Sequence, residues 1–165
     1  MEIEILYEDE RILVINKPVG LVVNRAESIR GETVQDWVEK TQKLKKTKTQ
    51  NIEYLDKVFM ERSGVCHRLD KETSGCLLIA KNPESLSYYL KLFKTRKIGK
   101  EYLALVHGKV DPKEGSVVLP LRRSILEREK WQVHYEGKKA VTFWEVVKVF
   151  DFEEAGEHWN KKLSL

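Results

Sequence analysis

The sequence predicts an α+β fold with mainly antiparallel strands, and three observations carry that reading. Apolar runs of strand length, such as Ile12-Leu13-Val14-Ile15 and Cys76-Leu77-Leu78-Ile79-Ala80, are bounded by turn residues. Two stretches place apolar residues at helical spacing, one beginning at Val34 and one at Leu86. Towards the C-terminus, 131–135 and 140–150 read as strands joined by a Gly137-Lys138 turn.

The elements follow in chain order. Ile3, Ile5 and then Ile12 to Ile15 form two short strands around Glu8-Asp9-Glu10-Arg11. Lys17-Pro18-Val19-Gly20 breaks the second strand, since proline offers no ladder donor and glycine admits a positive φ. Leu21-Val22-Val23 is expected to resume it. Val34, Trp37, Val38, Thr41 and Leu44 share a helical face, with Thr33 as N-cap. Residues 45–50 are polar and basic, a frayed helix end or a loop. Ile52, Leu55, Val58 and Phe59 form a weaker helical pattern. Asn82-Pro83 starts another helix, whose face is Leu86, Tyr89, Leu90 and Phe93. Gly99 ends that unit, and 102–107 is expected to be a central strand. A loop at 108–115, a short strand at 117–120 and a mixed-charge connector with Arg122, Arg123, Arg128 and Lys130 precede the final pair of strands.

Composition bounds the function. A chain of 165 residues, 41% apolar, suits one domain with a real core. The net charge of +4, from 30 basic and 26 acidic residues, is too small to mark a nucleic-acid binder by itself. Its placement says more. Lys40, Lys43, Lys45, Lys46 and Lys48 crowd one segment, and Lys91, Lys94, Arg96, Lys97 and Lys100 another. Each cluster reads either as a solvated face or as the footprint of an anionic partner. Cys66 and Cys76 are the only cysteines, lie in apolar surroundings and form no C-x-x-C pair. They read as two buried thiols in a reducing cytosol, with neither zinc site nor disulfide framework. The acidic N-terminus is not a targeting segment, and no apolar run is long enough to span a membrane. A cytoplasmic, soluble protein without metal or cofactor is expected.

The stretch with chemical content is Cys66-His67-Arg68-Leu69-Asp70-Lys71-Glu72-Thr73-Ser74-Gly75. It sets a histidine, an arginine and a carboxylate on a turn beside an apolar strand, which is a way to hold a reactive carboxylate still. A plain turn ion pair between Arg68 and Asp70 is the alternative.

His67-Arg68-Leu69-Asp70 with Thr73-Ser74-Gly75 resembles the H-R-L-D-x-x-T-S-G signature of the RluA-type pseudouridine synthases. Asn16-Lys17-Pro18-Val19-Gly20 is similar to that family's N-K-P-x-G turn, and Leu77 to Asn82 to the strand after the signature. Phe93, Arg96, Lys100, Tyr102, Leu105, Val106 and Gly108 resemble the next block, and Gly137-Lys138-Lys139-Ala140-Val141-Thr142 a later G-K-x-A-x-T segment. The resemblance covers roughly 3–150.

It implies a mixed, mainly antiparallel central sheet with flanking helices. It also implies isomerisation of uridine to pseudouridine in ribosomal or transfer RNA, with no metal or cofactor. Asp70 matches the catalytic carboxylate acting at the ribose, and Tyr102 the active-site tyrosine that stacks on the extruded uracil. Arg68 matches the guanidinium that refills the stack left by the flipped base. His67 is either a turn-holding hydrogen bond or a phosphate contact; Lys91, Lys94, Arg96, Lys97 and Lys100 would attract RNA. Lys17 reads as structural.

The family's later G-R-x-H-Q-I-R block, with its cation for the catalytic aspartate, has no counterpart here. The expectation is therefore an incomplete catalytic domain over 1–150, then a divergent polar tail over 151–165 without strand pattern. An unpaired edge over 141–149 follows, and with it a monomer or an edge-strand dimer. A catalytically silent RNA-binding module, or a fragment without function of its own, is the alternative to the synthase.

Overall fold

The computed structural model describes residues 2–41, 53–127, 130–150 and the backbone of 163–164. The chain divides into two compact units, 1–99 and 100–165.

The first unit is built on a three-stranded antiparallel sheet. Strand β1 (Ile5–Glu8) pairs with β2 (Ile12–Lys17), and β2 pairs with β3 (Gly75–Ala80) from Ile12 opposite Ala80 to Lys17 opposite Gly75. On the other side of β3, Val65 makes a single antiparallel bridge to Ile79. Helix α1 (Val34–Thr41) starts where the sequence places it. The Asp36 amide donates to Thr33 Oγ1 at 3.3 Å, and the Thr33 amide donates to Asp36 Oδ2 at 2.8 Å, a reciprocal cap. Leu21-Val22-Val23 does not resume the strand as expected. The Val22 and Val23 carbonyls instead accept from the Val34 and Gln35 amides, two of the donors that a helix start leaves unpaired.

Helix α2 (Glu53–Arg62) confirms the weak pattern through Leu55, Val58 and Phe59, the last fully buried. Leu44, the segment 45–50 and Ile52 lie outside the described residues, as do Lys43, Lys45, Lys46 and Lys48. Helix α3 (Pro83–Lys94) carries proline in its first turn, and Asn82 Oδ1 accepts from the Ser85 amide at 2.9 Å. Two apolar clusters fill the unit. One joins Leu13, Ile15, Leu77 and Ile79 to Val34, Trp37 and Val38 of α1; the other joins Phe59, Cys66, Ala80 and Leu86. Cys66 is buried, but Cys76 is exposed, which corrects the reading of two buried thiols. Alternation along β3 turns Leu77 and Ile79 inward and leaves Cys76 outside.

The second unit contains β4 (Val106–His107), β5 (Glu114–Arg123), β6 (Trp131–Val133), β7 (Lys138–Glu145), β8 (Val149–Phe150) and β9 (Leu163–Ser164). One sheet runs β6-β5-β7 and the other β4-β9-β8, all pairings antiparallel. The expected central strand at 102–107 is reduced to Val106 and His107, whose strand partner is β9. The short strand expected at 117–120 grows to ten residues, because Gln132 and Trp131 pair with Arg122 and Arg123, which the sequence places in a connector. The single strand expected over 140–150 divides, and the Val146 amide in the gap donates to the Lys113 carbonyl at 2.6 Å. The tail expected to lack strand contributes β9, which pairs with both β4 and β8. The outer edge of β7 has no strand partner among the described residues. Every buried apolar side chain among the described residues belongs to the first unit.

Candidate active site

The signature turn is fastened at several points before its carboxylate reaches solvent. The Cys66 amide donates to the Leu78 carbonyl at 3.1 Å, a strand-like bond on the free side of β3. The next ladder donor, the Leu78 amide, is taken by the His67 ring: Nε2 accepts it at 3.1 Å. An imidazole thus stands where a neighbouring strand would present a carbonyl, and Nε2 must be unprotonated to do so. The same ring lies 4.6 Å from the Phe93 ring of α3, which binds the turn to the basic end of that helix. Leu69 is buried in the first apolar cluster. The Thr73 amide donates to the Asp70 carbonyl at 3.1 Å and closes the turn.

A further fastening comes from the N-K-P-x-G turn. Leu13, Ile15 and Lys17 share the inward face of β2, so the Lys17 side chain enters the interior and is 0% exposed. Its ammonium donates to the carbonyls of Pro18 at 2.9 Å, Leu21 at 2.9 Å and Lys71 at 3.2 Å. Burial lowers the Lys17 pKa, and the nearby Glu72 and Asp70 carboxylates oppose that shift. The Lys71 carbonyl also accepts the Gly20 amide at 2.8 Å, from a residue at φ 81°. The residue following Asp70 is therefore held by two donors, one from the end of β2 and one from the turn after it.

Asp70 itself is open, its side chain 87% exposed, with Arg68 Nη2 at 3.7 Å. Both groups are solvated, so the pair is weak as a fastening and leaves the carboxylate free to meet a ligand. The structure brings His67, Arg68 and Asp70 together on one turn, and the His67–Phe93 contact sets Lys91 and Lys94 of α3 in the same unit, both exposed. Arg96, at φ 56°, and Lys97 follow the helix and are exposed too. Lys100 and Tyr102 belong to the second unit, where Tyr102 is 62% exposed.

Two further residues support this turn, and the sequence shows only one of them. Lys17 was readable by parity, falling two residues after Ile15 on the inward face. Gly64, at φ 75°, was not: its backbone lies against β3 so closely that a Cβ would meet the Ala80 carbonyl oxygen at 2.2 Å. Among the described residues no three His, Cys, Asp or Glu side chains gather to hold a metal ion, and no helix is long and apolar enough to cross a membrane.

The family model described as RNA pseudouridylate synthase matches residues 11–164, and the chain belongs to that family. The match continues past Phe150 to the last strand. The ribosomal large subunit pseudouridine synthase D of Buchnera aphidicola is 37% identical over 150 residues, which cover 91% of this chain and 44% of the relative. An RNA pseudouridine synthase of Aquifex aeolicus is 36% identical over 150 residues, covering 90% and 44%. Among solved structures, human RNA pseudouridylate synthase domain containing 1 superposes with a TM-score of 0.64 at 22% identity, covering 99% of this chain and 58% of that one. That last likeness concerns the fold. The chain spans about half the length of the relatives it matches.

Proposed function

We propose that this chain carries the aspartate-bearing part of an RNA pseudouridine synthase, and that residues 1–150 form its catalytic domain. The observation that carries the reading is the Asp70 carboxylate, 87% exposed on a turn whose backbone is held by Lys17, Gly20 and β3. A nucleophile or base for a ribose must be accessible and fixed, and these features serve both needs. Asp70 acts at C1′ or C2′ while the C1′–N1 bond breaks; the uracil turns and rejoins through C5. Tyr102 stacks on the base and takes up the C5 proton. Arg68 fills the gap left by the flipped nucleotide. His67 holds the turn, and Lys91, Lys94, Arg96, Lys97 and Lys100 attract the phosphates. Ribosomal RNA is the preferred substrate, since relatives of this chain are named for the large ribosomal subunit. The protein works as a monomer in the cytoplasm without cofactor; a mass that rises with concentration in sedimentation would replace the monomer by pairing along β7.

The test is release of tritium from C5 of uridine in ribosomal RNA. The parent chain is expected to release it and Asp70→Asn to lower the rate at least a thousandfold, as for other covalent catalytic groups. Equal rates for the two proteins would remove the assignment. RNA binding without release by well-folded parent would leave a silent binding module.

A further inference from the structure

The β6-β5-β7 sheet carries a second group of residues that the aspartate chemistry does not use. Arg123 lies opposite Trp131, and Leu121 lies opposite both Val133 and Lys138. Alternation therefore sets Arg123, Trp131 and Lys138 on one face. The Arg123 guanidinium sits 4.9 Å from the Trp131 ring centre, and the ring remains 61% exposed. In the turn that joins β6 to β7, Tyr135 stacks on His134 with centroids 4.4 Å apart and planes at 27°, yet is 84% exposed. Lys138 follows at once on the same face, exposed and without an acidic partner among the described residues. The nearby Glu136 carboxylate is engaged by Arg122 at 2.7 Å.

We propose that this face binds single-stranded RNA, with Trp131 and Tyr135 as stacking platforms and Arg123 and Lys138 meeting the phosphates. Two large flat rings left in water beside an uncompensated lysine suit a ligand that is both aromatic and anionic. Single-stranded RNA repeats those two features at every nucleotide. A protein partner fits less well, because protein interfaces are depleted in lysine at their centres. A guanidinium on the Trp131 ring adds to the platform, since it too stacks on a base. The proposal rests on the RNA substrate argued above and adds a contact surface remote in sequence from Asp70.

The experiment measures binding of fluorescein-labelled oligouridine to the full chain by anisotropy, across a salt series. Trp131→Ala and Tyr135→Ala are each expected to weaken binding about tenfold at unchanged salt slope. Trp131→Phe, which keeps a stacking ring, is expected to bind within about twofold of the parent. Lys138→Ala is expected to lower the salt slope by about 0.7. Unchanged affinity in both ring variants, with parent-like circular dichroism, overturns the proposal. So does self-association that Trp131→Ala abolishes while oligouridine binding persists, since the face would then serve a second copy of the chain. Tritium release separates the two readings. Ring variants that lose binding while the parent shows no turnover support this surface and count against the synthase. Ring variants that bind as the parent does, beside an active parent, do the reverse.

Discussion

A lysine ammonium removed from water keeps its charge only if its three protons find acceptors. Lys17 finds three backbone carbonyls, and one of them belongs to the residue after Asp70. Lys17→Met would fit the apolar face but take the ammonium donor from the Pro18 and Leu21 carbonyls and one of two donors from the Lys71 carbonyl, a cost of about 2 kcal/mol. The expected result is a lower melting temperature together with a larger loss in kcat than in KM, because the carboxylate is displaced rather than removed. A melt equal to the parent's would show that the three bonds carry no net stability. The sequence shows where Lys17 points, since it continues the Leu13, Ile15 alternation. It does not show what Lys17 meets there, because the Lys71 carbonyl lies 54 positions away. His67 is the same kind of case: its partner amide is at Leu78, fixed only once β3 has formed.

Among elements, those with self-contained end signals were legible. Thr33 with Asp36, and Asn82 with Pro83, cap helices through residues at most three apart. The strands of the second unit were not, because strand extent depends on a partner that sequence pattern does not name. Arg122 and Arg123 read as connector and became strand only because β6 pairs with them. Helix α1 also has a pH dependence. Hydrogen bonds from the Thr33 hydroxyl, then from Arg25 and the Thr33 amide, lower the Asp36 pKa from 3.8 to about 2. The folded carboxylate thus holds its proton less tightly than the unfolded one. This contribution to stability is complete above pH 3.8 and is lost as pH falls through about 2. Acid titration of the melting temperature is expected to fall in that window for the parent and to be flatter there for Asp36→Asn. Thr33→Ala is expected to cost about 1 kcal/mol at neutral pH.

For the whole molecule, the contrast between the two units is the main fact. The first unit holds all the buried apolar side chains among the described residues, while the second leaves Val117, Val118, Leu119, Val133 and Phe143 exposed. Without apolar burial, strand hydrogen bonds open readily to water. Hydrogen exchange is expected to be about a hundredfold slower for amides of β2 and β3 than for those of β5 and β7. Equal protection in the two sheets would show that the second unit is covered in solution. The two-unit division itself was not visible in composition, which is similarly charged on both sides of Gly99. The signature turn was visible because it is local, whereas Tyr102 belongs to the other unit and its relation to Asp70 cannot be read from spacing.

The unequal cysteines have a practical side. Burial pushes the Cys66 thiol up to about 12, so near neutral pH it stays protonated and shielded from alkylating reagents. Cys76 is exposed, six residues beyond Asp70 and opposite Asn16 on β2. A maleimide dye or nitroxide added to the unmodified protein should therefore attach at one position. That position sits at the root of the aspartate turn, on a strand that cannot drift. The molecule brings its own site for a reporter of RNA arrival, with no engineered cysteine and none to remove.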